Sequence, residues 1–191
     1  MSALLFVDIS GSTALYESLG DQEAHARIDQ RLRLLDRAAA EHDGQVVKRM
    51  GDGLMCDFPD ADGALHAAHA MQLTMFASQS GLALGIHVGC HFGPVLDNEG
   101  DIYGDTVNVT ARIVGIAKTG QVIVTRELVD RLGAHMRDKL RPLGEVTVKG
   151  RREPVQILEY VWEGSPELTT IMRVDSIPRI SRLRLLCGGN E

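Results

Sequence analysis

The segment that most constrains the fold is a turn. Gln45 to Met50 and Leu54 to Phe58 are two short strand-like runs joined by Gly51-Asp52-Gly53. Two such runs around an Asp-Gly turn read as a β-hairpin. Upstream, Leu4 to Val7 is fully apolar and ends in Asp8, the pattern of a buried strand that delivers a polar residue at its end. Between them, ALYESL reads as a helix with Ser12 or Thr13 as its cap, interrupted at Gly20-Asp21. A longer helix from about Gln22 to His42 follows, with Ile28, Leu32, Leu35 and Ala39 at helical spacing. After the hairpin, Ala61 to Ala77 reads as a helix, Leu82 to Val88 as a strand, and Val95 to Tyr103 as an antiparallel excursion around Asn98-Glu99-Gly100. Asp105 is placed to cap a helix from Thr106 to about Ala117. Gln121 to Thr125 reads as a strand and a helix runs on to about Leu132, after which Leu140 to Val148 and Val155 to Trp162 close the sheet. The order strand, helices, hairpin, helix, strand predicts an α+β fold: a ferredoxin-like βαββαβ core with added strands and helices. In that arrangement the end of the first strand lies beside the hairpin turn, which brings Asp8 close to Asp52.

Charge narrows the partners. The 191 residues carry a formal net charge of -6, which argues against nucleic acid, since phosphate-backbone binders need a basic surface. An anionic substrate would need cations or locally placed Lys and Arg. Cys56 and Cys90 sit in apolar runs and form no CxxC, so they read as small core residues in a reducing compartment. No segment approaches the ~18 apolar residues of a membrane span. The N-terminus leads directly into LLFV without a basic region, which argues against a secretory leader and for a cytoplasmic protein with no membrane contact.

Neither the P-loop signature nor GxGxxG is present, so phosphate is not held by those glycine-rich devices. The histidine pairs His87/His91 and His66/His69 lack a convincing third ligand for zinc. Asp8 and Asp52 are the stronger pair. Two carboxylates that close repel unless cations bridge them, and hard oxygen ligands with open positions suit magnesium. Taken singly, each also reads as a turn or strand-end aspartate. Asn108 and Arg112 are four apart and share one helix face, where they could orient a ribose and neutralise a phosphate, or simply form a solvated face.

Four segments form a set: FVDISGST (Phe6 to Thr13), VKRMGDGLMCDF (Val47 to Phe58), GDIYGDTVNVTARI (Gly100 to Ile113) and TVKGRREPV (Thr147 to Val155). In this order and spacing they resemble the class III nucleotidyl cyclase catalytic domain, adenylate cyclase type, over roughly Ala3 to Trp162. The resemblance implies that Asp8 and Asp52, with the Ile9 carbonyl, hold two Mg2+ or Mn2+ ions. It matches Lys48 and Asp101 to the pair that accepts adenine, where guanylate-making members typically carry Glu and a small residue such as Cys. Asn108 and Arg112 match the residues that orient the ribose and stabilise the transition state, and Lys149 matches a lysine for the terminal phosphates. The implied reaction turns ATP into cyclic AMP and pyrophosphate. One departure is that Ser-Gly-Ser-Thr follows Ile9 where many members place a bulky Phe before the Thr.

Lys48 and Asp52 lie about 13 Å apart at ~3.3 Å per residue, and spacing alone leaves open whether one nucleotide touches both. The resemblance implies that it does not. Metal aspartates would come from one subunit and base, ribose and transition-state residues from the other, in a homodimer with shared sites. Residues 1–163 are then the catalytic domain. Residues 164–191 form a tail or linker, in which Arg179 to Leu186 alternates like an edge strand. LRLLCGGNE loosely resembles the start of a forkhead-associated domain, which would place a regulatory domain beyond the tail. A guanylate cyclase, a diguanylate-forming relative and a non-catalytic nucleotide-binding module are the alternatives. Lys48/Asp101 and the intact Asp8, Asp52, Asn108 and Arg112 speak against them.

Overall fold

The computed structural model describes residues 1–78, 84–98 and 100–162. The tail from residue 164, Cys187, and the beginning of the strand expected from Leu82 lie outside the described residues. The chain opens with β1 (Ser2–Ser10), α1 (Ser12–Leu19), α2 (Asp21–Ala40), β2 (Gln45–Met50), β3 (Gly53–Phe58), α3 (Ala61–Ala77) and β4 (Gly85–Gly93). It continues with β5 (Leu96–Asn98), β6 (Asp101–Tyr103), α4 (Asp105–Val114), β7 (Val122–Thr125), α5 (Arg126–Val129), α6 (Ala134–Arg137), β8 (Leu140–Val146) and β9 (Val155–Tyr160). The main sheet has the order β2-β3-β1-β4-β7-β9-β8, and β5-β6 is a separate two-stranded ribbon. Every pair in the main sheet is antiparallel except β4 with β7. The first four strands form the expected βαββαβ core.

Alternation along β1 sorts its side chains between two layers. Ala3, Leu5, Val7 and Ile9 join the cluster built with Ile28, Leu32 and Leu35 of α2 and Leu65, Ala68 and Met71 of α3. Leu4 and Phe6 face the other way, onto Val114 of α4 and Ile102 of β6. Asp8 continues this second series, so the β1 carboxylate emerges on the α4 side of the sheet. Cys56 and Cys90 are buried thiols, and burial pushes Cys56 up to about 12 and raises Cys90 as well.

Two helix starts differ from the sequence expectation. Gly11, at φ 89, is the cap of α1, and Ser12 is the first helical residue, its hydroxyl engaged elsewhere. Gly104 rather than Asp105 caps α4, which ends at Val114 instead of Ala117. In both cases glycine takes a backbone conformation that Ser, Thr or Asp would adopt only at a cost.

Candidate active site

β1 and β3 pair with Asp8 opposite Gly53, at the last rung before the hairpin turn. The Ile9 N–H donates to the Asp52 carbonyl at 3.1 Å, which ties the turn to the end of β1. In an antiparallel ladder a residue's N–H and C=O point to the same neighbour, so the Ile9 carbonyl is directed toward this turn as well. Asp8 and Asp52 therefore converge. Burial pushes the Asp52 carboxyl above its ordinary value; a hydrogen bond from Ser12 opposes the rise, and the charge of Asp8 adds to it. The Ser12 hydroxyl donates to Asp52 Oδ2 from the first turn of α1. On the other side, His87 Nε2 of β4 stands 3.3 Å from Asp8 Oδ2, and its Nδ1 lies 2.9 Å from Ser10 Oγ. A cleft of about 590 Å³ opens beside Asp52, lined among others by Ser12, Thr13, Tyr16 and Arg49.

The donor set is all oxygen, two carboxylates and a backbone carbonyl, which fits a hard divalent cation. Among the described residues no three His, Cys, Asp or Glu side chains group as a metal site. A cation here would complete its shell with water and substrate oxygens.

Lys48 lies on the edge strand β2. A register shift between Val46 and Lys48 sets its side. Val46 pairs with Cys56 of the α2/α3 layer, and Lys48 pairs with Met55 of the α4 layer. The bulge thus turns Lys48 to the face on which Asp8 emerges. There Lys48 Nζ meets Asp101 Oδ2 of β6 at 2.5 Å, and this bond holds Asp101 below its ordinary value. Arg49, one residue on, faces the opposite layer and pairs with Asp29 of α2 at 2.7 Å.

Asn108 and Arg112 lie one turn apart on α4, Asn108 exposed and Arg112 half-buried. Arg112 Nε is buried and has no hydrogen-bond partner among the described residues. A buried guanidinium nitrogen left this way marks a place where an acceptor is missing. Lys149 is exposed in the β8–β9 connection. Arg151 in the same connection reaches Asp105 of α4 at 2.7 Å and Glu127 of α5 at 3.3 Å, which fastens the Lys149 segment near the start of α4.

The structure thus brings together Asp8, Ile9 and Asp52, and pairs Lys48 with Asp101 on the same sheet face. Asn108 and Arg112 share α4, while Lys149 stands on its own loop. Ser12, His87 and Arg151 were not singled out in the sequence for these contacts. The alternation Ile86-His87-Val88 carries a signal for one of them: a polar residue between two core positions must face the other layer.

Known proteins resemble the chain over most of its length. An adenylate cyclase of Anabaena cylindrica is 30% identical over 179 residues, covering 82% of this chain and 36% of that protein. Adenylate cyclase 1 of Rhizobium meliloti (strain 1021) is 31% identical over 183 residues, covering 82% of this chain and 27% of that protein. The crystal structure of an adenylate/guanylate cyclase/hydrolase from Silicibacter pomeroyi superposes with a TM-score of 0.72 at 29% identity, covering 84% of this chain and 95% of that one. The chain spans about a quarter to a half of the length of most of the curated relatives it matches. Residues 2–163 match the Adenylate and Guanylate cyclase catalytic domain, a match over most of the chain that goes with the fold described above, and the chain belongs to this family.

Proposed function

We propose that the chain is an adenylate cyclase that converts ATP to 3′,5′-cyclic AMP and pyrophosphate at the interface of a homodimer. The observation that carries the choice of ATP is the Lys48–Asp101 pair at 2.5 Å. Adenine offers a ring-nitrogen acceptor beside an exocyclic amine donor, while guanine places a carbonyl acceptor where that amine stands. Lys48 donates and Asp101, held ionised, accepts, which complements adenine and sets acceptor against acceptor for guanine.

Asp8, Asp52 and the Ile9 carbonyl would hold two divalent cations, Mg2+ or Mn2+. Such cations, when bound, supply Lewis-acid activation of the ribose 3′-oxygen and neutralise the triphosphate. Asn108 would orient the ribose from the exposed face of α4. Arg112 would give its unsatisfied Nε–H to charge developing at the α-phosphoryl group, a contribution of ~2.7–4 kcal/mol for a well-placed donor. Lys149 would bind the terminal phosphates and stay with the departing pyrophosphate. Residues 1–163 form the catalytic unit in this reading, with 164–191 as a tail or linker toward a regulatory domain. Among the described residues no helix is long and apolar enough to cross a membrane, and a cytoplasmic setting suits ATP as substrate.

The test is product formation from ATP and from GTP, with Mg2+ or Mn2+, across a range of protein concentrations. Cyclic AMP from ATP is expected, with specific activity rising as the chain is concentrated. Cyclic GMP instead would overturn the roles of Lys48 and Asp101. No product from a chain that binds nucleotide would overturn the cyclase reading in favour of a binding module.

A further inference from the structure

We propose that His87 is a positioning residue for the Asp8 carboxylate, holding one carboxylate oxygen so that the other is presented toward Asp52. This rests on the reading of Asp8 and Asp52 as cation ligands. His87 lies directly opposite Asp8 in the β1–β4 ladder, and cross-strand neighbours share one face of the sheet. Its neighbours Ile86 and Val88 are buried in the other layer, so the imidazole is directed to the α4 side, where its side chain is 17% exposed.

The two ring nitrogens are both accounted for. Nδ1 lies 2.9 Å from Ser10 Oγ, and Nε2 lies 3.3 Å from Asp8 Oδ2. Ser10 sits two residues beyond Asp8 and therefore on the same face. When the Ser10 hydroxyl donates to Nδ1, the proton of a neutral ring must sit on Nε2, where it points at the carboxylate. The Nε2 lone pair is then unavailable to a cation, which makes His87 a support for a ligand and not a ligand itself. The second oxygen of Asp8 lies on the opposite side: Oδ1 is 3.1 Å from the position a Cβ on Gly53 would occupy. The carboxylate is bracketed, with Oδ2 toward β4 and Oδ1 toward the turn that carries Asp52. Two carboxylates of like charge tend to swing apart before a cation arrives. A hydrogen bond that fixes one of them keeps the oxygen pair ready. Outer partners of this kind typically contribute about 10–100-fold in metal affinity.

The test is Mn2+ binding to the full chain at one fixed pH, read from the electron paramagnetic resonance signal of free Mn2+, with melting temperature recorded for each variant. H87A is expected to weaken Mn2+ binding about 10–100-fold, and H87Q, whose amide nitrogen can stand near the Nε2 position, to recover most of it. S10A should weaken binding in the same direction by less, and it decides the matter if H87A does not fold. If D8N and D52N lose Mn2+ while H87A and S10A bind it as tightly as the parent chain, the positioning role is overturned. Equal losses in H87A and H87Q with S10A unchanged would assign the ring to packing and overturn it too. If D8N and D52N themselves bind as tightly as the parent, the cation reading beneath the proposal fails.

Discussion

Gly53 shows how closely the carboxylate site is built. A Cβ at this position would stand 2.7 Å from the Val7 carbonyl oxygen and 3.1 Å from Asp8 Oδ1. The backbone oxygen belongs to β1 in the middle of the sheet and cannot retreat without moving the strand. The cost is therefore shared between sheet and site. Gly53→Ala is expected to lose about 1–3 kcal/mol of stability, the range for forcing an extra methyl into a packed place. At ~2–4 °C per kcal/mol for a chain of this size, thermal melting should fall by about 5 °C. Cyclase activity should fall further than the residual folded fraction explains, because the atom pushed aside is a proposed ligand oxygen. Activity that tracks the folded fraction alone would mean the Asp8 carboxylate has room to move without consequence.

At the scale of elements, a polar cluster joins the strands to the helices that carry the site. His91 of β4 is buried and bonded to Thr125 at 2.8 Å, beside Glu127, Arg151 and Asp105. Burial lowers its pKa to about 4 from 6.5; the charges of Glu127 and Asp105 oppose the shift and Arg151 adds to it. Between those values the unfolded chain binds a proton that the folded chain does not. Stability contributed by neutral His91 is thus present above pH ~6.5 and is lost as the pH falls toward about 4, on the order of 3 kcal/mol in all. Asp52 has the opposite sign, since a raised folded-state pKa favours the folded form at low pH and loses that advantage as pH rises. Urea unfolding of His91→Gln beside the parent chain cancels the Asp52 contribution, and the parent should lose the extra stability between those pH values. Parallel curves would show that His91 titrates near its ordinary value. The same scale explains what the sequence could and could not disclose. The hairpin around Gly51-Asp52-Gly53 and the apolar run into Asp8 are local patterns, so the convergence of the two aspartates followed from topology. The side on which Lys48 faces did not, because strict alternation from Val46 would have sent it to the α2 layer, and only the bulge reverses it. Ser12 looked like a cap because its type favours caps; tertiary contact with Asp52 took the hydroxyl instead.

At the scale of the whole molecule, the proposed site depends on how charge and exposed apolar surface are distributed over the chain. A net charge of -6 would make the local cations decisive for the proposed triphosphate substrate, yet Lys48 is already bound to Asp101 and Arg151 to Asp105. Arg112 has a buried nitrogen without an acceptor among the described residues, and Leu96 and Tyr103, paired across the β5–β6 ribbon, are 70% and 48% exposed. Exposed apolar side chains and a buried donor lacking an acceptor are both features that the proposed homodimer would account for. If two copies meet about a two-fold axis, each site takes Asp8 and Asp52 from one chain and Lys48, Asp101, Asn108 and Arg112 from the other. The consequence can be counted. Asp52→Ala and Arg112→Ala homodimers each lack one half of both sites and should be nearly inactive. Mixed and allowed to exchange, they form a heterodimer in which one site carries both lesions and the other carries neither. About half of the dimers in an equal mixture are heterodimers, so activity should return to roughly a quarter of the parent's per chain. No recovery, with heterodimers verified by differently tagged chains, would place all six residues in a site within one subunit.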